Sequence, residues 1–316
     1  MHSIAQPWMW AVFIAFVLAM LALDIFAFGG NKAQKMSVKQ AAAWSLAWVA
    51  LSLLFALGMW RYLIPHVGSE LAQTTTMEFL AGYVIEKSLS IDNIFVFLMI
   101  FNHFAVPPEH QRKVLLYGVL GAIVMRIAMI LAGVWVVEQF SWVLYLFGVF
   151  LIFTGLKMIW SADSEPDLNA NPVVRLAKKY LPFTDGFREE KFTVFENGQR
   201  VFTPLLLVLL LIEVSDVIFA VDSIPAIFAI TTDPFIVFTS NIFAIMGLRA
   251  LYFLLADMAE RFHFLKYGLA LVLMFVGGKM VLHNWFHVPT MISLLVIAVI
   301  VIGSMLISLM VTKRAE

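Results

Sequence analysis

The 316 residues are 62% hydrophobic and 13% charged, with a mean hydropathy of +0.92, which excludes an ordinary soluble domain and defines a polytopic membrane protein. Basic and acidic residues balance at 21 each, leaving no surplus of positive charge for a nucleic-acid partner. Cysteine is absent, so disulfides, thiolate metal sites and cysteine nucleophiles are excluded.

Apolar runs of about 20 residues, the length that crosses a hydrocarbon core, fall at roughly 8–28, 42–63, 78–101, 114–136, 141–160, 204–230, 235–256, 265–285 and 289–311. They predict an all-α protein with about nine transmembrane helices. The first run lacks a basic segment before it and a clear small-residue cleavage site, so it is expected to be a retained span rather than a signal peptide. Cytoplasmic loops collect Lys and Arg. Alternate loops here hold Lys32, Lys35 and Lys39; Arg112 and Lys113; Arg175, Lys178, Lys179, Arg188, Lys191 and Arg200; Arg261 and Lys266; then Lys313 and Arg314, while the intervening loops hold only Arg61. The N-terminus is therefore expected outside and the C-terminus in the cytoplasm.

One loop is long, Ser161 to Phe202. Asn171 to Leu181 fits a short basic amphipathic helix on the membrane surface, and Lys191 to Phe202 alternates around Asn197-Gly198 as a hairpin would. About 40 residues are too few for a catalytic domain, so the segment is expected to be a linker.

The sixth span contains Glu213, Asp216 and Asp222 in an otherwise apolar run. A charge near the bilayer centre costs roughly 2.5 to 3.5 kcal/mol on insertion scales, so such residues mark ion or proton paths by default. The third span carries Glu86 and Asp92, and the spacing from Glu86 to Asp92-Asn93-Ile94 matches that from Asp216 to Asp222-Ser223-Ile224. The following spans share Arg126 and Arg249, and the next share Tyr145 with Gly155, Lys157 and Met158, against Tyr267 with Gly277, Lys279 and Met280. Three spans per unit force the second to enter from the opposite face. Spans 3–5 and 6–8 thus form a 3+3 inverted repeat, the arrangement that puts transporter sites at the midplane. The chain divides into two N-terminal flanking spans (1–77), a first three-helix repeat (78–160), a cytoplasmic linker (161–202), a second repeat (203–285) and a C-terminal span with a short tail (286–316).

Glu86, Asp92, Glu213, Asp216 and Asp222 are the candidate metal ligands. Asn93, Ser223 and Asn241 support them, and Lys87, Arg126 and Arg249 are the neighbouring cations. On one continuous helix Asp216 and Asp222 point about 120° apart, so a break near Pro225 is expected to turn Asp222 inward and free carbonyls as ligands. The resulting all-oxygen set suits Mn²⁺, Mg²⁺ or Ca²⁺ better than Zn²⁺ or Cu. Five acids overcharge one divalent ion, so metal-for-proton exchange follows. The competing structural reading pairs the acids with the cations as interhelical glue; an intermediate reading has the arginines hold the acids between ions. Asp24 is expected to be interfacial, Lys157 and Lys279 to snorkel, and His283 with His287 to form at most a weak metal pair.

The run Glu86-Lys87-Ser88-Leu89-Ser90-Ile91-Asp92-Asn93, the stretch Glu213 to Pro225, then Thr232-Asp233-Pro234-Phe235, Thr239-Ser240-Asn241 and Gly247-Leu248-Arg249 resemble the TerC family of integral membrane proteins over nearly the whole chain. The family's acidic positions fall on Glu86, Asp92, Glu213, Asp216 and Asp222. The resemblance implies Mn²⁺ export across a bacterial inner membrane, and associates the chain with an alkaline-pH response and, by name, with tellurite resistance. Mn²⁺ is then cargo, with no permanently bound cofactor. The alternatives are a transporter of another cation such as Ca²⁺, or an accessory protein for metalation or insertion of other proteins that docks through the 161–202 loop. An intramembrane aspartyl protease built on Asp92 and Asp222 lacks the Gly-x-Gly-Asp signature, so no enzyme activity is expected.

Overall fold

The computed structural model describes residues 3–28, 37–140, 142–160, 171–196, 198–256, 264–282, 285 and 288–315. Its helices begin where the sequence carries start signals. Pro108, Pro172, Pro204 and Pro234 open α4 (Pro108–Gln139), α6 (Pro172–Tyr180), α7 (Pro204–Phe228) and α8 (Pro234–Ile245), positions where the missing N–H costs no helical bond. α1 (Pro7–Phe28) also begins at a proline. Ser37 and Gln40 form a reciprocal capping box at the head of α2 (Val38–Val67), satisfying two otherwise orphaned N–H donors. Gly68, at φ +87°, turns the chain directly into α3 (Ser69–His103). α5 (Val143–Trp160), α9 (Leu248–Ala256), α10 (Leu265–Val281) and α11 (Thr290–Ala315) complete the helices.

Six segments are long and apolar enough to cross a membrane: Val38–Val67, Pro108–Gln139, Val143–Trp160, Pro204–Phe228, Pro234–Ala256 and Thr290–Ser308. The shorter Pro7–Leu23 is also apolar. The third and eighth expected spans fall outside that set for chemical reasons. α3 carries Glu78, Glu86, Lys87 and Asp92 along its length, and α10 has only 17 residues, one of them Lys279.

α3 lies at the centre, packed against α2, α7, α8, α9 and α11. Rings clamp α1, α2, α3 and α8 together: the Phe55 centroid lies 4.8 Å from that of Phe243 and 5.1 Å from that of Phe79, and Phe13 is 5.7 Å from Phe243. The expected seventh span is interrupted. α8 stops at Ile245, Gly247 takes φ +85° and α9 starts at Leu248. Glycine adopts that angle without penalty, and a Cβ at Gly247 would also strike the Trp48 ring.

α7, by contrast, runs unbroken through Pro225 to Phe228. The expected break does not occur, because a proline this close to a helix end deletes a bond that fraying would weaken anyway. In the long loop, α6 is capped by the Asn171 carboxamide oxygen accepting from Val173 N at 2.9 Å. β1 (Thr193–Glu196) pairs antiparallel with β2 (Gln199–Phe202), with Glu196 opposite Gln199 across the turn, as the alternation predicts.

The most extensive helix pair is α5 against α10. A Cβ at Gly148 would lie 2.9 Å from the Gly277 carbonyl oxygen, and one at Gly155 would lie 2.7 Å from that of Ala270. Ascending positions on α5 thus meet descending ones on α10, so the helices are antiparallel and in backbone contact. Gly148→Leu is expected to lower the melting temperature of the detergent-solubilised protein by an amount corresponding to about 1–3 kcal/mol of overpacking. Gly278→Ala, where a Cβ meets nothing within 4 Å, should leave it unchanged or slightly raised. Equal melting curves for the two variants would contradict the close crossing.

Candidate functional site

Arg126, 0% exposed on α4, is the hub where four helices meet. Its Nη1 donates to a Glu86 carboxylate oxygen on α3, to Asn241 Oδ1 on α8 at 3.0 Å and to Ser223 Oγ on α7 at 3.3 Å. Nη2 and Nε reach the two oxygens of Asp216 on α7 at 3.2 and 3.4 Å. Asn241 Nδ2 closes the ring by donating to Glu86 Oε2 at 3.3 Å. Guanidinium suits this place because its rigid fork serves two carboxylates at once and is less strongly hydrated than an ammonium. With both acids ionised the three groups carry one surplus negative charge in a buried place, which their hydrogen bonds and the neighbouring Lys87 ammonium, acting on Glu86, help to offset.

The remaining sequence-predicted residues take separate places. Glu213, one turn before Asp216, lies against α4 where Gly121 has no side chain; a Cβ there would overlap the carboxylate. It lines a shallow apolar recess with Tyr117, Leu120, Val124 and Val217. Asp222 keeps the orientation that a continuous α7 dictates and turns to α5, where Thr154 Oγ1 donates to its Oδ1 at 3.2 Å and Lys157 acts on its charge. The structure therefore joins Glu86 and Asp216, leaves Glu213 beside Asp216 on the face of α7 that meets α4 but outside the hydrogen-bonded cluster, and turns Asp222 to α5. Asp92 lies on α3 and Asp24 on α1, but their side chains are outside the described residues, as are His283 and His287. Among the described residues, no group of three or more His, Asp or Glu is gathered closely enough to hold a metal ion. Arg126 stands where such a group would close.

Asn93 is 1% exposed, and neither of its amide atoms has a hydrogen-bond partner; the Ser90 hydroxyl is likewise unpartnered. At intervals of four and three residues, Glu86, Ser90 and Asn93 share one face of α3, so a polar stripe runs from the arginine cluster toward the C-terminal end of that helix. Lys87 donates from Nζ to the Ala244 carbonyl at 3.1 Å, tying α3 to α8. Arg249 is buried on α9 immediately after the Gly247 turn, beside Trp48 and Met246. Sequence reading passed over Thr154 and Glu78. Thr154 sits in an apolar helix with no spacing signal. Glu78 falls at the edge of its hydrophobic run and resembled a boundary residue, while its neighbour Lys279 was expected to snorkel.

An all-helical polytopic membrane protein with a charged cluster buried between its helices is the class that fold and site define. The chain belongs to the TerC family: the model of the "Integral membrane protein TerC family" matches residues 71–316. It is 53% identical to the "Putative membrane-bound redox modulator Alx" of Photorhabdus laumondii over 99% of this chain and 98% of that one. Identity to the protein of the same name in Escherichia coli K12 is 52%, over 100% and 98% of the two chains. An "Uncharacterized membrane protein STKORF319" of Myxococcus xanthus is 47% identical over 99% and 95%. No solved structure matches.

Removing the hub leaves two buried carboxylates without their cation, a change that costs about 3–5 kcal/mol in comparable buried pairs. Arg126→Met is accordingly expected to reduce the yield of monodisperse protein and its melting temperature severely. The triple variant Glu86→Gln, Arg126→Met, Asp216→Asn should recover much of the loss. A single variant as stable as the parent would show that the cluster contributes nothing to the fold.

Proposed function

We propose that this chain is a membrane transporter that exports Mn²⁺ from the cytoplasm across the bacterial inner membrane, working by alternating access and coupled to protons. The reading is carried by one observation: two carboxylates from different helices are held in a dry interior by a guanidinium that belongs to a third. Oxygen ligands of this kind suit a hard divalent cation. A cation reaching the cluster competes with Arg126 for Glu86 and Asp216, and the displaced guanidinium or a bound proton restores charge balance when it leaves. The unpartnered Ser90 and Asn93 offer further oxygens along the approach.

Two units of three spans each, α3–α5 and α7–α10 with α8 and α9 together making one span, would support alternating access. Their Gly-x-Lys-Met segments align Gly148 with Ala270 and Gly155 with Gly277. On the inverted-repeat reading, the Gly148–Gly277 and Gly155–Ala270 contacts are one contact repeated about a pseudo-two-fold axis. Rocking at that glycine crossing would open the cluster to alternate sides, with the N-terminus outside and the C-terminus in the cytoplasm. The relatives' name points to redox. With no cysteine, thiol chemistry within this chain is not available, and an effect on redox balance would arise from the redox-active cation it moves.

The exposed Leu176, Tyr180 and Phe195 on α6 and the hairpin favour a second reading, an accessory protein that docks other proteins through this loop. Cells making the parent protein are expected to hold less cytoplasmic Mn than cells without it, and Asp216→Asn, Asp92→Asn and Asp222→Asn each to abolish the difference. Equal Mn content with and without the parent protein would refute export, and a difference that survives all three substitutions would refute these carboxylates as its site. Loss of cellular function on deleting 161–202, with metal flux intact, would favour the accessory role.

A further inference from the structure

A cavity of about 880 Å³ lies at the end of the bundle where α3 begins, α7 ends and α8 starts. Thr75 and Glu78 face it from adjacent turns of α3, Lys279 from α10, Tyr145 from α5, and Thr231 and Asp233 from the turn before α8. Asp233 is already committed. Its carboxylate accepts from Phe235 N at 2.8 Å as the cap of α8, from Ser3 Oγ at 3.0 Å and from Ile4 N at 2.6 Å. Glu78 is the carboxylate left to a ligand, with the Thr231 hydroxyl, the Asp233 carboxylate and the Lys279 ammonium all acting on it. Eight residues separate it from Glu86, about 12 Å along the helix axis.

We propose that this cavity is a second cation site, the vestibule in which a divalent ion regains its water on leaving the arginine cluster, with Glu78 as its carboxylate. The proposal deepens the transport reading and rests on it. The two places differ in the way such a path requires. Glu86 and Asp216 are 0% and 3% exposed, so an ion reaches them only without its water. The cavity exceeds several times over the roughly 200 Å³ of six waters at about 30 Å³ each. The Lys279 ammonium lines the same cavity as Glu78, so a cation bound there would meet a site that already holds both signs of charge.

The test is a Mn²⁺ titration of the purified full-length protein followed by electron paramagnetic resonance, paired with Mn²⁺ exchange in sealed vesicles of both orientations. The parent protein is expected to show two classes of bound ion. Glu78→Gln should remove one and Asp216→Asn the other. In vesicles Glu78→Gln should weaken apparent affinity about tenfold from the face nearest α3's start, leave the opposite face unchanged, and be partly rescued by Glu78→Asp. Both classes surviving in Glu78→Gln, or both vanishing together, would overturn the vestibule. If vesicles of the parent protein move no cation, the transport reading fails, and the titration still decides whether Glu78 binds one.

Discussion

A guanidinium wedged between two carboxylates in the dry middle of a helix bundle is the constraint around which the rest is arranged. Arg126 makes Glu86 and Asp216 tolerable there, and they make Arg126 tolerable. Neither half of the arrangement is stable without the other, because an ion stripped of water with no partner costs several kcal/mol. The cluster also recruits Ser223 and Asn241, so α3, α4, α7 and α8 are tied at one point by hydrogen bonds that cannot slide as apolar contacts can. A fold held this way is specific at its centre and adaptable toward its periphery, where α5 and α10 touch through glycines.

α7 distributes charge among its neighbours. Asp216 turns to α4 and the cluster, Glu213 to the gap left by Gly121, and Asp222 to Thr154 on α5. Two of the three carboxylates thus face α4 and the third faces α5.

Much of this was legible in the residues. The apolar lengths gave the helices, Pro and Asn marked where several begin, and Asn197-Gly198 marked the hairpin. The matching acidic spacings singled out Glu86, Asp92, Asp216 and Asp222, and the shared arginines Arg126 and Arg249; of these the cluster holds Glu86, Asp216 and Arg126. The rest depended on tertiary choices that spacing does not encode. Pro225 suggested a break, but so near the helix end it deforms little, and Asp222 kept its own direction. Gly247 takes a positive φ that divides the seventh span and sets Arg249 just beyond the turn, which an apolar run does not reveal. Glu78 was missed because a carboxylate at the rim of an apolar run is indistinguishable from a boundary residue until the helix that faces it is known.

The account stands on competition between Arg126 and a divalent cation for the same two carboxylates. Infrared difference spectroscopy of the protein with isotopically labelled arginine, recorded as Mn²⁺ is added, observes both partners at once. The account predicts that carboxylate and guanidinium bands shift together with a single saturation curve, and that Asp216→Asn removes both shifts. Carboxylate bands that respond to the ion while the guanidinium bands stay fixed would contradict it.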